Sequence, residues 1–215
     1  MIQPVPSCPL CSSSDVREFA EIRAARYFRC GVCLLTFLAP ELRLDEAAER
    51  EHYGTHENDP ADPRYRTFLD RLAAPLVERL APGAEGLDYG SGPAPVLAMM
   101  LREQGFRVRA YDPLFAPEDD ALRHTYDFIA CSETAEHFFD PAAEFARLDA
   151  MLRPGGWLGV MTEILEDEAR FAGWRYARDP THVCFYRAET MSWIARRFGW
   201  RLHSPARNVT LFEKT

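Results

Sequence analysis

The chain has 215 residues, enough for one full-sized core and a small accessory unit, and its 47% hydrophobic and 27% charged content is that of a soluble folded protein. Its apolar runs fall short of the roughly 18 residues a membrane span needs, and its start, MIQPVPSCPLC, lacks the basic residues and apolar stretch of a signal peptide, so the expected location is the cytoplasm. A formal net charge of −8 excludes a protein that coats nucleic acid by charge alone.

Two cysteine pairs come first, Cys8-Pro-Leu-Cys11 and Cys30-Gly-Val-Cys33, with 18 residues between them. In a chain with no export signal, such cysteines point to metal or thiol chemistry before disulfides. Two residues between thiolates let a tight turn aim both sulfurs at one ion, and Gly31 eases that turn. Two such turns close a tetrahedron around a structural zinc ion, with no position left for a reactive water. Four unligated cysteines, or a redox dithiol, are the competing reading. Val16, Phe19, Ile22, Tyr27 and Phe28 supply short strands between the pairs. Residues 1–40 are therefore expected to form a zinc-binding module, and residues 41–82 a helical linker or lid.

Within that linker a short helix is expected over 44–53, and Tyr53 is a candidate to close over a site. Phe68, Leu69, Leu72, Leu76 and Leu80 recur at helical spacing over 64–80, with Pro75 expected to kink or interrupt the helix. From residue 83 strands and helices alternate, the pattern of a parallel sheet covered on both faces. Strands are expected over 86–89, 107–111, 127–131 and 157–162. The intervening helices span 96–104, closed by Gly105, and 141–152, with Asp140 as cap and Pro141 in the first turn. Met191, Ile194, Ala195 and Phe198 mark a further helix ending at Gly199, and 200–204 with 209–213 close the chain as an antiparallel pair. The stretch 114–126 is too short for a full strand and helix, so one of them must be abbreviated or missing. Cys131 and Cys184 stand in apolar surroundings as packing residues.

The segment Leu87-Asp-Tyr-Gly-Ser-Gly-Pro-Ala carries the most chemistry. Gly90 and Gly92 follow a strand and precede a helix, where bare backbone lets a ligand approach closely. A dinucleotide site would want a third glycine where Pro95 stands, and proline cannot donate a backbone hydrogen bond to a pyrophosphate. A nucleoside without phosphates needs no such donor. Asp112, 22 residues after Gly90, is placed to grip ribose hydroxyls.

The order LDYGSG, AYDP, YDFIACSETAEHFFDP and LRPGGWLGVMTE resembles the motif series of the class I S-adenosylmethionine-dependent methyltransferases, covering residues 86–163. The resemblance implies an α/β Rossmann-like fold over residues 83–215, with a mostly parallel sheet, helices on both faces and an antiparallel C-terminal strand pair, preceded by the small zinc ribbon. It places Asp88, Gly90 and Gly92 around the methionine part of the cofactor, with Tyr89, Ser91 and Pro113 lining the same site. Asp112 falls on the ribose, and Cys131, Ser132 and Glu133 flank the adenosine or the methyl group. Glu136-His137 followed by Asp140-Pro141 resembles an element of small-molecule methyltransferases. The sequence departs from the pattern at Ala94, often glycine, and in the shortened third unit, which leaves the adenine contacts open.

Methyl transfer asks mainly for alignment of nucleophile, methyl carbon and sulfur, plus a base where the acceptor must lose a proton. His182 and His137 are the candidate bases, with Glu136 to orient either; Glu133 and Glu163 are weaker candidates of the same kind. The expected acceptor is a small molecule, a sugar or another metabolite, with no membrane or nucleic-acid partner. The N-terminal arrangement resembles that of nucleotide-sugar C-methyltransferases, which carry a further large C-terminal domain not present in this sequence. Competing readings are an RNA methyltransferase and a non-catalytic S-adenosylmethionine-binding adaptor. Eight arginines against Asp179 and Glu189 between 170 and 207 make either a basic surface beside a cleft or a solvated face.

Overall fold

The computed structural model describes residues 5–53 and 59–215. Its N-terminal part is an antiparallel meander of β1 (Val16–Ile22), β2 (Ala25–Cys30) and β3 (Thr36–Leu38). Arg23 and Ala24 close the first hairpin at φ 51° and 67°, the left-handed pair that a two-residue turn between right-twisted strands requires. Helix α1 (Glu46–Tyr53) follows, then α2 (Pro63–Val77). Asp62 caps α2 by accepting from the Arg64 N–H, and Pro63 at the first turn lacks only a donor that would have gone unused. Of the two outcomes expected at Pro75, interruption does not occur. The helix continues through it for two more residues, to Val77.

The main sheet is built from β4 (Glu85–Tyr89), β5 (Arg107–Tyr111), β6 (Tyr126–Ser132) and β7 (Leu152–Met161), which run parallel in the order β5-β4-β6-β7. Helix α3 (Val96–Glu103) connects the first two and α4 (Pro141–Met151) the last two. After the two-residue strand β8 (Cys184–Phe185) and helix α5 (Ala188–Phe198), the hairpin β9 (Trp200–Ala206) and β10 (Val209–Lys214) extends the sheet, with β10 antiparallel to β7. The fold is thus the expected Rossmann-like α/β sheet with an antiparallel closing pair. Alternation along β6 shows why both faces are apolar. Phe128 and Ala130 face Leu72, Leu76 and Leu101 of α2 and α3, while Ile129 and Cys131 join the core of Phe145, Leu148 and Ile194 on the other side. Gly159 of β7 lets α2 lie directly on the sheet, since a Cβ there would stand 2.8 Å from the Leu72 Cδ1.

The shortened third unit proves to have lost its strand. β5 is the sheet edge, and 114–126 holds only the bridge Asp112–Ala116 and a 3-10 turn, Asp119–Arg123, before β6. The N-terminal strands share a sheet with the second half of the chain: β3 pairs with β8, Thr36 opposite Phe185 and Phe37 opposite Cys184. One apolar core runs from Leu10, Phe28 and Phe37 to Phe145 and Tyr186. Among the described residues, no helix is long and apolar enough to cross a membrane.

Candidate active site

A cavity of about 1290 Å³ opens at the C-terminal ends of β4, β5 and β6, the edge where open α/β sheets hold ligands. Its floor is the glycine turn after β4. Gly90 (φ 78°) and Gly92 (φ 64°) are left-handed, and the N–H groups of Gly90 and Ser91 both donate to the Tyr111 carbonyl, at 2.8 and 3.0 Å. A side chain at Gly90 would collide with Thr134, whose Cγ2 lies 2.1 Å from the ideal Cβ position. The Thr134 hydroxyl meanwhile hydrogen-bonds the Gly90 and Ser132 carbonyls, at 3.2 and 2.9 Å, so the turns after β4 and β6 hold each other.

Asp112, at the end of β5, meets this turn. Its carboxylate accepts from the Gly92 N–H at 2.9 Å and from the Leu114 and Phe115 N–H groups at 2.9 and 3.0 Å. Asp88 lies beneath. Pro95 offers no side-chain cap to α3, and the Asp88 carboxylate substitutes by accepting from the Ala98 N–H at 3.0 Å. Burial pushes the Asp88 carboxyl up to about 7, against the opposing pull of that hydrogen bond and of Arg102.

The opposite wall carries acids, histidines and aromatics from the turn after β6 and the segment after β7. Glu133 sits at φ 47°, strained for a residue with a side chain, and burial together with the Glu136 and Glu163 carboxylates pushes it up to about 9. Glu136 is fully buried, and its Oε2 accepts from the Thr162 hydroxyl at 2.8 Å. Thr162 lies 2.9 Å from the Tyr176 hydroxyl, while Trp174 donates its ring N–H to Glu163 at 2.9 Å. The rings of His137 and His182 meet edge to face, 4.8 Å between centroids. Each directs Nδ1 at a backbone carbonyl, His137 at Thr181 (3.0 Å) and His182 at Tyr176 (2.8 Å). Burial lowers the His182 pKa, with the His137 ring adding to this and Glu136 and Asp179 opposing it, so the neutral ring is favoured.

Every cofactor or catalytic residue singled out from the sequence lines this cavity, except Cys131, which is sealed in the apolar core behind the wall. The weaker candidate Glu163 lines it too. The Tyr53 side chain lies outside the described residues. Sequence reasoning missed Tyr65 and Phe68 of α2, and Trp174 and Tyr176, as cavity residues. The aromatics inside the arginine-rich run 174–178 were the available signal. Of the eight arginines between 170 and 207, Arg170, Arg187, Arg201 and Arg207 each pair with a carboxylate, on Asp167, Glu168, Glu213 and Glu166 respectively.

In the N-terminal part the four cysteine sulfurs of Cys8, Cys11, Cys30 and Cys33 lie within 4.8 Å of one another, with Cys8–Cys33 and Cys11–Cys30 at 3.5 and 3.4 Å. Zinc–sulfur bonds of about 2.3 Å in a tetrahedron put sulfurs roughly 3.8 Å apart, so the cluster fits that ion. The Val32 and Cys33 N–H groups point at the Cys30 sulfur, at 3.3 and 3.5 Å, and would support a thiolate there.

A sequence-family model described as a methyltransferase domain matches residues 63–204. The ubiquinone biosynthesis O-methyltransferase of Vibrio cholerae is 32% identical over 84 residues, 38% of this chain and 34% of that protein. The protein of the same name from Aeromonas salmonicida is 32% identical over 78 residues, 36% of this chain and 32% of that one. The matched stretch thus spans about a third of these relatives. Among solved structures, the 1,6-didemethyltoxoflavin-N1-methyltransferase of Burkholderia thailandensis, with 1,6-didemethyltoxoflavin and S-adenosylhomocysteine bound, superposes at TM-score 0.56 with 18% identity, over 91% of this chain and all (100%) of that one. The PH0226 protein of Pyrococcus horikoshii gives 0.53 with 13% identity, over 77% and 99%. Both share the fold.

Proposed function

The chain belongs to the methyltransferase-domain family, and from that premise we propose that it moves the methyl group of S-adenosylmethionine to a small-molecule acceptor, a sugar or another metabolite. The observation that carries this reading is the meeting of Gly92 and Asp112 on one wall of a cavity whose other wall holds Glu136, His137 and His182. The cavity, about 1290 Å³, exceeds what one drug-sized ligand fills, so cofactor and acceptor fit side by side. Its enclosure between α2 and the segment after β7 suits a small acceptor.

Bound S-adenosylmethionine supplies an electrophilic methyl group on a sulfonium. In our assignment Gly90, Ser91 and Gly92 let the amino-acid part lie on bare backbone, with Asp88 and Tyr89 beneath. Asp112 takes a ribose hydroxyl, and Pro113, Ser132 and Glu133 flank the adenosine. Cys131 acts from behind by shaping the wall. His182, His137 and Glu136 face the acceptor and lower the cost of removing its proton; Nε2 of a neutral ring is the atom able to take it. Alignment does the rest. The four cysteines hold a structural zinc ion, closed to substrate, that fixes the N-terminal strands. A four-thiolate centre suits a reducing compartment, and we place the protein in the cytoplasm.

Release of S-adenosylhomocysteine, followed with a panel of hydroxyl- and amine-bearing small molecules, tests the proposal. Turnover with at least one is expected. Cofactor binding without release against any acceptor would leave a binding protein instead.

A further inference from the structure

Glu136, His137 and His182 bring one carboxylate oxygen and two imidazole nitrogens within 4.8 Å of one another. We propose that these three side chains hold a divalent first-row transition-metal ion on the acceptor wall, and that the acceptor hydroxyl meets that ion. The second half rests on the methyltransferase reading; the ion itself does not.

Two observations beyond proximity point to a ligand. The Glu136 Oε1 is buried and has no hydrogen-bond partner among the described residues, although Oε2 of the same carboxylate is engaged by Thr162. An orphaned carboxylate oxygen in a protein interior is costly unless something positive meets it. Both histidines, moreover, spend Nδ1 on a backbone carbonyl, Thr181 for His137 and Tyr176 for His182. A carbonyl accepts only from N–H, so each ring, when neutral, carries its lone pair on Nε2. This is the outer support that orients metal-ligating imidazoles and fixes their tautomer.

Two imidazoles and one carboxylate suit iron, manganese, cobalt or zinc, and three ligands leave coordination positions for substrate. Here those positions would face the cavity. Ligands at about 2.1 Å in neighbouring positions lie about 3 Å apart, whereas the His137 Nε2 is 3.9 Å from the Glu136 Oε1; the side chains must draw together as the ion enters. Asp179, 4.0 Å from the His182 Nε2, adds a second carboxylate beside the site.

The chemistry balances without any further reagent. One acceptor hydroxyl gives its proton to solvent, made more acidic by the nearby charge. Its oxygen then bonds to the methyl carbon as the carbon–sulfur bond breaks, and that electron pair stays on sulfur as a neutral thioether. With the ion in place the two rings serve as ligands, and the proton leaves without passing through them.

Equilibrium dialysis of the full chain against manganese, ferrous iron, cobalt and zinc, each followed by metal analysis, tests the site. About two ions per chain are expected, one at the cysteines and one here, with Glu136→Gln and His182→Ala each falling to about one. A wild-type chain that saturates at about one ion with all four metals overturns the proposal, and needs no variant to fold. A second ion retained in both variants overturns it as well. The heat of S-adenosylmethionine binding, measured on the same samples, separates the two readings. A second ion without cofactor binding supports the metal site and removes the methyltransferase; cofactor binding without a second ion does the reverse.

Discussion

The backbone N–H of Gly92 donates to the Asp112 carboxylate at 2.9 Å, joining the glycine turn after β4 to the end of the neighbouring strand β5. With the Leu114 and Phe115 N–H groups, three of the roughly four acceptor positions of this carboxylate are occupied by backbone. Asp112 thus shapes the site before any ligand arrives. A ribose hydroxyl would take the remaining position on a carboxylate already fixed in place.

The turn itself has no room for change. Gly90→Ala puts a Cβ 2.1 Å from the Thr134 Cγ2 and forces a left-handed φ of 78° on alanine. Loss of stability by about 2 kcal/mol or more is expected, together with loss of cofactor binding. The pair Gly90→Ala/Thr134→Gly removes the collision but not the left-handed strain, and should recover part of the stability in denaturant titrations. An unchanged single variant would mean that the turn is misplaced.

Stability should also depend on pH through Asp88. Burial pushes its carboxyl from 3.8 up to about 7, so between those values the folded chain holds a proton that the unfolded chain has released. The Asp88 contribution is therefore full below about pH 4 and lost as pH rises through about 7, at most about 4 kcal/mol from the size of the shift. Asp88→Asn keeps an oxygen for the Ala98 N–H and removes the ionisation. Relative to the wild type it should gain stability steadily from pH 4 to pH 7; two parallel pH profiles would count against this assignment.

Metal loss at the cysteines should damage the acceptor side more than the cofactor side. β3 pairs with β8, the Leu38 N–H donates to the Val183 carbonyl at 2.9 Å, and the Tyr27 hydroxyl donates to the Ala177 carbonyl at 3.2 Å. Buried Arg29 adds an ion pair to Glu168 at 2.6 Å. All of these hold the segment that carries Tyr176 and His182, and none touches the glycine turn. After chelation, or in Cys30→Ser, amide exchange should quicken over 177–185 and acceptor turnover should fall at least tenfold. S-adenosylmethionine affinity should stay within about threefold. Equal losses of turnover and cofactor affinity would contradict this coupling.

Much of this architecture was legible because its signals are local. Asp140 and Pro141 open α4, Gly105 and Gly199 follow α3 and α5 in left-handed conformations, and the glycine turn stands where strand gives way to helix. The short stretch after Asp112 revealed that something was missing, but only the edge position of β5 shows it to be a strand. What escaped is long-range. Two residues, Cys184 and Phe185, are too few to read as a strand, and they form one only because β3, some 150 positions earlier, offers its edge. Tyr176 and Trp174 read as part of a charged run until their partners, Thr162 and Glu163, are seen beside them.

The central claim is that the glycine turn and Asp112 together receive an adenosyl ligand. Calorimetric titration of the folded chain with S-adenosylmethionine, beside Asp112→Ala, tests it most directly. Saturable one-to-one binding is expected in the wild type, weakened at least tenfold, about 1.4 kcal/mol, in the variant. No heat in the wild type, or the same affinity in both, would contradict it.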